Sequence, residues 1–390
     1  GFGFEGKKSS NFPIVYEDTD KQIREPTSNL KDRIKTILET YEKGKSHHPI
    51  YTGCLKDEVR SMKKCVSGAT RMFYIGPMDY LIVARMYLAP ILTLMSEHSD
   101  LFCTSVGVNI VEKAESYAKR FEGLDQISGD FKDYDFNIPG DIRHSVNTLL
   151  IELSKALGYN DHAVKILTGI LSDNLYPLLA INLELFQTVG VTVSGMYGTT
   201  EINCHVTRFS FKYIFYKLYP EENFDDCLEF MSNGDDSKGG IKKHIGFDMF
   251  VVEKTFLEEM NMVYTTPSKT VVTQPYYKES EVDYLKRKIV YREDLGLHVP
   301  QLDPDSLLKM GAYYIPSNSV SKEVQFSGTL RSFCIENFLH RDRDSYEMMI
   351  GRLLSEVFPL AGLDDPNILP TYDDCKDICF PHLVDEFTIT

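Results

Sequence analysis

The chain has 390 residues, enough to bury a sizeable core in more than one subdomain, and its 43% hydrophobic and 25% charged residues are ordinary for a globular protein. No apolar run reaches the roughly 18 residues that span a bilayer. A net charge of −15 excludes indiscriminate coating of nucleic acid but leaves room for a local basic channel inside an acidic shell.

In chain order, the opening GFGFEGKKSS lacks the basic start and apolar centre of a signal peptide. It also begins abruptly for a natural amino terminus. Dense charge follows in KDEVRS (56–61) and in KKCVSGATR, which ends at Arg71. MDYLIVARMYLAPILTLM has helical apolar spacing, and SGDFKDYDFNIPG reads as a short strand ending in acids, punctuated by Pro139-Gly140. DIRHSVNTLLIELSKALG is the clearest helix, with Ile142, Val146, Leu149, Leu150, Leu153 and Leu157 on one face and Gly158 as its terminator. TVSGMYGTTEINCHVTRFSF is a Gly-bearing loop running into an aromatic-rich helix, whose Tyr and Phe residues read as a packing stripe. FMSNGDDSKG is a hairpin, because Asn233-Gly234 tolerates the positive φ of a tight turn. A helix over 247–260, strand-like YTTPSKTVV and VDYLKRKIV, and a helical, Pro-punctuated remainder from Leu295 complete an α+β pattern. The eight cysteines read as reduced thiols of an intracellular protein, and CKDICFPH, with Cys375, Cys379 and His382, does not have the spacing of a zinc finger. His47, His48 and His244 read as surface residues.

Three groups of residues carry chemistry. Asp235 and Asp236 are not needed by a hairpin, and adjacent like charges repel; alone they fit either a solvated turn or a divalent-metal site. Paired with Asp130, at the end of the acidic strand, they could hold two hard cations for in-line phosphoryl displacement. Gly195 and Gly198 permit close backbone approach, and Ser194, Thr199 and Asn203 add small hydrogen-bonding groups; this loop is either a helix start or a site that reads a ribose or a template backbone. Lys56, Arg60, Lys63, Lys64 and Arg71 form either a solvated face or a path for a triphosphate, with Asp57 and Glu58 as counter-charges.

Taken in order, these motifs resemble the RNA-dependent RNA polymerases of picorna-like positive-strand RNA viruses. KDEVRS with SGATR is similar to the fingers motif that binds triphosphate, GDFKDYD to the first palm motif, and SGMYGTTEIN to the ribose and template motif. NGDD is similar to the metal-binding hairpin, YTTPSKT to the motif carrying a proposed general acid, and VDYLKRK to the primer grip. The resemblance implies a right-hand polymerase: fingers over 1–125, lacking their amino-terminal part; palm over 126–149 and 189–294, an antiparallel sheet backed by helices; a fingers/palm insertion over 150–188; and a mostly helical thumb over 295–390. It implies that Asp130, Asp235 and Asp236 bind two Mg²⁺ (or Mn²⁺) ions, that Lys269 protonates the leaving pyrophosphate, and that Lys56, Arg60, Lys64 and Arg71 hold the triphosphate. Asp135, Ser194, Gly195, Thr199 and Asn203 would read ribose and template, and Lys286 and Arg287 would grip the primer. The partners implied are RNA template and primer, NTPs, a genome-linked protein primer and other viral replication proteins, with no membrane segment in the chain itself, at replication complexes in the host cytoplasm. Asn233 replaces the family's commoner Tyr, Ala69 replaces a frequent Lys, and GFGFEGKK matches only the middle of the motif at the template entrance, so a segment of a longer polyprotein is expected. A reverse transcriptase, or an inactive polymerase-like RNA-binding scaffold, is the alternative; Asp135 with Asn203 counts against the first and the intact acids against the second.

Overall fold

Helical and alternating apolar spacings divide this chain between helices and short strands, and a computed structural model describes residues 8–18, 21–317 and 319–381. GFGFEGK and His382, both singled out in the sequence, lie outside the described residues. The strands are β1 (Ile14–Asp18), β2 (Lys21–Arg24), β3 (Ile50–Leu55), β4 (Met72–Ile75), β5 (Asp125–Phe131), β6 (Leu178–Ile181), β7 (Glu184–Gln187), β8 (Leu228–Asn233), β9 (Asp236–Ile241), β10 (Tyr264–Thr265), β11 (Arg287–Arg292) and β12 (Leu297–Leu302). Two units emerge: residues 1–107, 129–238 and 243–275 in one, and 108–128, 239–242 and 276–390 in the other.

The first unit holds a sheet in the order β4-β3-β6-β7, in which β3 and β6 run parallel and the other pairs antiparallel. A second sheet has the order β10-β5-β9-β8, and β10 pairs antiparallel with β5 so that Thr265 faces Asp130. Helices Thr199–Leu218 and Met249–Met260 pack on β8 and β10 respectively. The aromatic residues of the first helix behave as a packing stripe. Phe211 lies 4.9 Å from Phe230 and 5.0 Å from Phe256, and Phe131 lies 4.8 Å from Tyr264, ring centre to ring centre. Such offset and edge-on pairs add to the burial of large apolar surface.

Helix Gly140–Ala156 forms where its periodicity predicts, but its inner face differs. Leu157 is exposed, whereas Arg143, Asn147 and Ser154 are buried beside Ile142, Val146 and Leu150. Helix Met78–Glu97 is long and apolar enough to cross a membrane by length and composition, although Asp79 and Arg85 interrupt it, so no unbroken apolar run of that length occurs. Its Val83, Leu88, Ile91 and Met95 are fully or almost fully buried inside the protein, and its Asp79 pairs with Arg33 at 2.7 Å, so packing accounts for the apolar run. His47 is another departure; it is half-buried, stacked on Tyr80, and burial lowers its pKa.

In the second unit β11 pairs antiparallel with β12, so the helical remainder expected from Leu295 starts with a strand. Val299 and Pro300 are buried at the centre of Leu297–Leu302, and the ladder to β11 satisfies backbone groups that a Pro300-containing helix would leave open. Helices Pro304–Ala312, Lys322–Phe338, Arg343–Arg352 and Tyr372–Cys379 follow. Phe338, Tyr346, Tyr372, Cys375 and Cys379 share their core.

Gly129 shows how tightly β5 and β10 meet. A Cβ there would lie 2.3 Å from the Thr265 carbonyl oxygen and 2.4 Å from the Tyr264 ring. Gly129→Ala is therefore expected to destabilise the fold by about 1–3 kcal/mol, the scale of an overpacked core. Thermal unfolding measures it, and an unchanged midpoint would contradict this packing.

Candidate active site

The turn between β8 and β9 is one residue further on than Asn-Gly chemistry predicts. Gly234 and Asp235 are the turn residues, Gly234 alone taking positive φ (66°), while Asn233 ends β8 and donates from Nδ2 to Ser105 Oγ at 3.3 Å. Glycine supplies the left-handed residue without steric cost, which leaves Asp235 displayed at the tip. Helix Thr199–Leu218 clasps this turn: Gly234 N donates to Cys204 Sγ (3.1 Å), and Thr207 Oγ1 donates to the Gly234 carbonyl (2.7 Å).

Asp130, 8% exposed, is the penultimate residue of β5, and its charge reaches Asp235. Burial raises the Asp235 carboxyl above the usual carboxylate range, and repulsion from Asp130 adds to it. The ammonium of Lys269, 2.6 Å from Asp130 Oδ2, opposes both. Lys269 reaches there from a turn in which it takes φ 62° and its N–H donates to the Thr266 carbonyl at 2.8 Å. Asp236 begins β9 and is half-buried.

The ribose-loop candidates lie in the same unit. Ser194 Oγ accepts from Tyr74 N (3.1 Å), and Thr199 Oγ1 donates to the carbonyls of Val193 (3.2 Å) and Met196 (3.0 Å), closing the loop before the helix. A Cβ at Gly195 would stand 2.3 Å from the Tyr74 carbonyl oxygen, so this loop rides directly on the end of β4. Asn203 Oδ1 accepts from Thr192 Oγ1 (3.2 Å) and from Arg143 Nη1 (3.3 Å). Thr192 N in turn donates to the Asp135 carbonyl oxygen (2.8 Å), so one threonine joins the two residues expected to read a ribose. Arg143 was read only as part of a helix. The structure puts it on the buried face with Asn147, Leu150 and Ser154, which a charged residue beside an apolar stripe does not announce.

In the basic segment Glu58 gathers the cations. Its carboxylate lies 3.5 Å from Lys56, 3.2 Å from Arg60 and 3.8 Å from Arg71, while Lys64, on the short helix Met62–Val66, is exposed. In the second unit Lys286 is exposed with φ 58°. Arg287 makes a two-pronged ion pair with Glu336 (2.8 and 2.6 Å) and donates to the Pro300 carbonyl, so its guanidinium is engaged within the protein.

Residues 1–347 match the family model described as viral RNA-dependent RNA polymerase. The chain belongs to that family. It is similar to the replicase polyprotein of Drosophila C virus (strain EB), 23% identical across 96% of this chain and 21% of the relative. It is also similar to the RNA1 polyprotein of cowpea mosaic virus (strain SB), 24% identical across 85% of this chain and 19% of the relative. It thus spans about a fifth of the length of these relatives. A solved structure described as Sicinivirus 3Dpol RNA dependent RNA polymerase superposes with a TM-score of 0.80 at 16% identity, covering 97% of this chain and 74% of that one. The α+β polymerase fold anticipated from the motifs is the fold observed.

The family uses divalent metal ions, and residues of this chain fit one. Asp130 and Asp235 offer hard oxygen donors whose mutual repulsion a cation relieves, and the Lys269 ammonium already stands on Asp130 as a positive partner. Among the described residues no three His, Cys, Asp or Glu side chains come together as a metal site, so Asp236 does not join Asp130 and Asp235 in one cluster.

Asp135 is solvent-exposed, its exposure notwithstanding its carboxyl is pushed up to about 6, first by desolvation and then by the charge of Asp235, against the lowering pull of Arg71 and Arg143. A raised folded-state value means that ionisation costs stability above about pH 6 and costs nothing below the unfolded value of about 4. Asp135→Asn is therefore expected to raise the unfolding midpoint at pH 8 and leave it unchanged at pH 4. Solvent screening keeps the gain to about 1 kcal/mol or less. An equal effect at both pH values would contradict the assignment.

Proposed function

We propose that this chain catalyses template-directed RNA synthesis, joining the α-phosphate of an incoming NTP to a primer 3′-hydroxyl with release of pyrophosphate. The observation that carries the reading is the meeting of Asp130, Asp235 and Lys269, two carboxylates and an ammonium from three separate segments, in a chain of this family. Two Mg²⁺ or Mn²⁺ ions held by Asp130 and Asp235, with Asp236 in support, would activate the hydroxyl and stabilise the leaving oxygen. The chain's own residues do the rest. Lys56, Arg60, Lys64 and Arg71 bind the triphosphate, where the three cations around Glu58 exchange a carboxylate for phosphate oxygens. Lys269 moves from Asp130 to the leaving pyrophosphate and gives it a proton.

Asp135 accepts from the ribose 2′-hydroxyl and Asn203 donates to it, which is how a protein tells a ribonucleotide from a deoxynucleotide. Ser194, Gly195 and Thr199 shape the loop that seats sugar and template. In the second unit Lys286 contacts the primer backbone, and Arg287, anchored on Glu336, fixes the start of β11. The matched relatives are polyproteins, and the reading extends to a genome-linked protein primer and other viral replication proteins as partners in the host cytoplasm.

Primer extension on a short RNA template tests this, with NTPs and dNTPs, with and without Mg²⁺. Metal-dependent incorporation that favours NTPs is expected, falling at least about 100-fold in Asp235→Asn, the scale of losing one transition-state charge contact. Equal use of dNTPs would point to a reverse transcriptase instead. RNA binding with no turnover under any condition would point to a scaffold.

A further inference from the structure

Among the described residues Arg143 is one of the largest fully buried side chains, 1% exposed, and makes no ion pair within 4 Å. Its Nε has no hydrogen-bond partner. A buried guanidinium without a carboxylate partner is costly, and an apolar side chain of similar volume would pack the same helix face without that cost. What the guanidinium does instead is specific. Nη1 donates to Thr192 Oγ1 at 2.8 Å and to Asn203 Oδ1 at 3.3 Å, and Nη2 lies 3.6 Å from Met196 Sδ. Thr192 Oγ1, having accepted from the arginine, donates its own hydrogen bond to Asn203 Oδ1 at 3.2 Å.

Two donors on Oδ1 decide which way round the Asn203 amide sits. Flipping it would set an N–H bond of Nδ2 against the N–H of Arg143, a donor that cannot turn into an acceptor, whereas the Thr192 hydroxyl could rotate. The amide is thereby locked with Nδ2 as its free end, a donor with no protein partner among the described residues. The same Thr192 holds the Asp135 carbonyl through its backbone N–H. Arg143 thus fixes an acceptor, Asp135, and a donor, Asn203, in relation to one another through a single threonine.

We propose that Arg143 is a positioning residue for sugar selection: acting through Thr192 and Asn203, it presents the Asn203 Nδ2 donor to the ribose 2′-hydroxyl without touching the nucleotide itself. This rests on the reading of Asp135 and Asn203 as the ribose contacts.

The test is the ratio of kcat/KM for an NTP to that for its 2′-dNTP, alongside the ratio of the two equilibrium Kd values on a primed RNA, which needs no turnover. Arg143→Met is expected to lower both ratios about tenfold, the scale of one hydrogen bond to a charged or oriented partner, with most of the loss on the NTP side. Thr192→Val, a smaller change that keeps the helix packing, is expected to lower them in the same direction by about threefold and keeps the idea testable if Arg143→Met does not fold. In an Asn203→Ala background Arg143→Met should lower the ratios no further. An Arg143→Met or Thr192→Val protein that loses NTP and dNTP use in equal measure would overturn the proposal and leave Arg143 a core residue. So would a full Arg143→Met effect in the absence of Asn203. If Asn203→Ala and Asp135→Ala themselves leave the ratios intact, it is the ribose assignment that has failed, and that result is read before the arginine variants are considered.

Discussion

Two carboxylates that repel one another, Asp130 and Asp235, are the constraint around which the first unit is arranged. Neither gains from the other's company: burial and the neighbouring charge both push Asp235 towards its protonated form. The fold holds them together by apolar burial beneath and by hydrogen bonds beside them. Phe131, the residue after Asp130, packs against Tyr264 and Phe256, so the end of β5 cannot withdraw without opening the aromatic core. Gly234, the residue before Asp235, is held at both its N–H and its carbonyl by helix Thr199–Leu218. Lys269 supplies an opposite charge at hydrogen-bonding distance from Asp130.

That helix is the common member of the design. Asn203, Thr207, Phe211 and Phe215 stand four residues apart, and all are buried on one stripe. Along it the chemistry changes from polar to aromatic. Asn203 faces the Arg143 network, Thr207 holds the turn, and Phe211 and Phe215 enter the core. The Tyr134 hydroxyl ties the strip to the end of the acidic segment, lying 3.1 Å from the Asn203 carbonyl and 2.8 Å from Thr207 Oγ1. The turn and the residues proposed to bind metal and to read the sugar are therefore braced, together with the hydrophobic core, by one element, which suits the proposed reaction, whose rate depends on positioning.

The parts of this arrangement that follow from local chemistry were legible in the sequence. The β8–β9 hairpin announced itself through Asn233-Gly234, and Asp235 and Asp236, which a hairpin does not need, fitted a solvated turn or a metal site until the motifs were taken together. The single-residue shift of the turn was not legible, because it depends on Ser105 capturing the Asn233 side chain from 128 residues away. Arg143 was hidden for a related reason: a charged residue next to an apolar stripe reads as exposed until Thr192 and Asn203 are seen to receive it. The engagement of Arg287 needed Glu336, 49 residues on, and β12 needed its partner β11. Helix Met78–Glu97 carries an apolar composition whose meaning is set by what it is buried against, and composition alone does not say.

The central claim is that Asp130 and Asp235 form one cation site, and the direct measurement is Mn²⁺ binding followed by electron paramagnetic resonance, with the chain loaded with primed RNA and an NTP that cannot be cleaved between its α- and β-phosphates. The account predicts protein-bound Mn²⁺ that is lost or weakened at least about tenfold in Asp130→Asn and in Asp235→Asn separately, each change removing a charged ligand. Equal Mn²⁺ binding by the unaltered chain and both variants would contradict it.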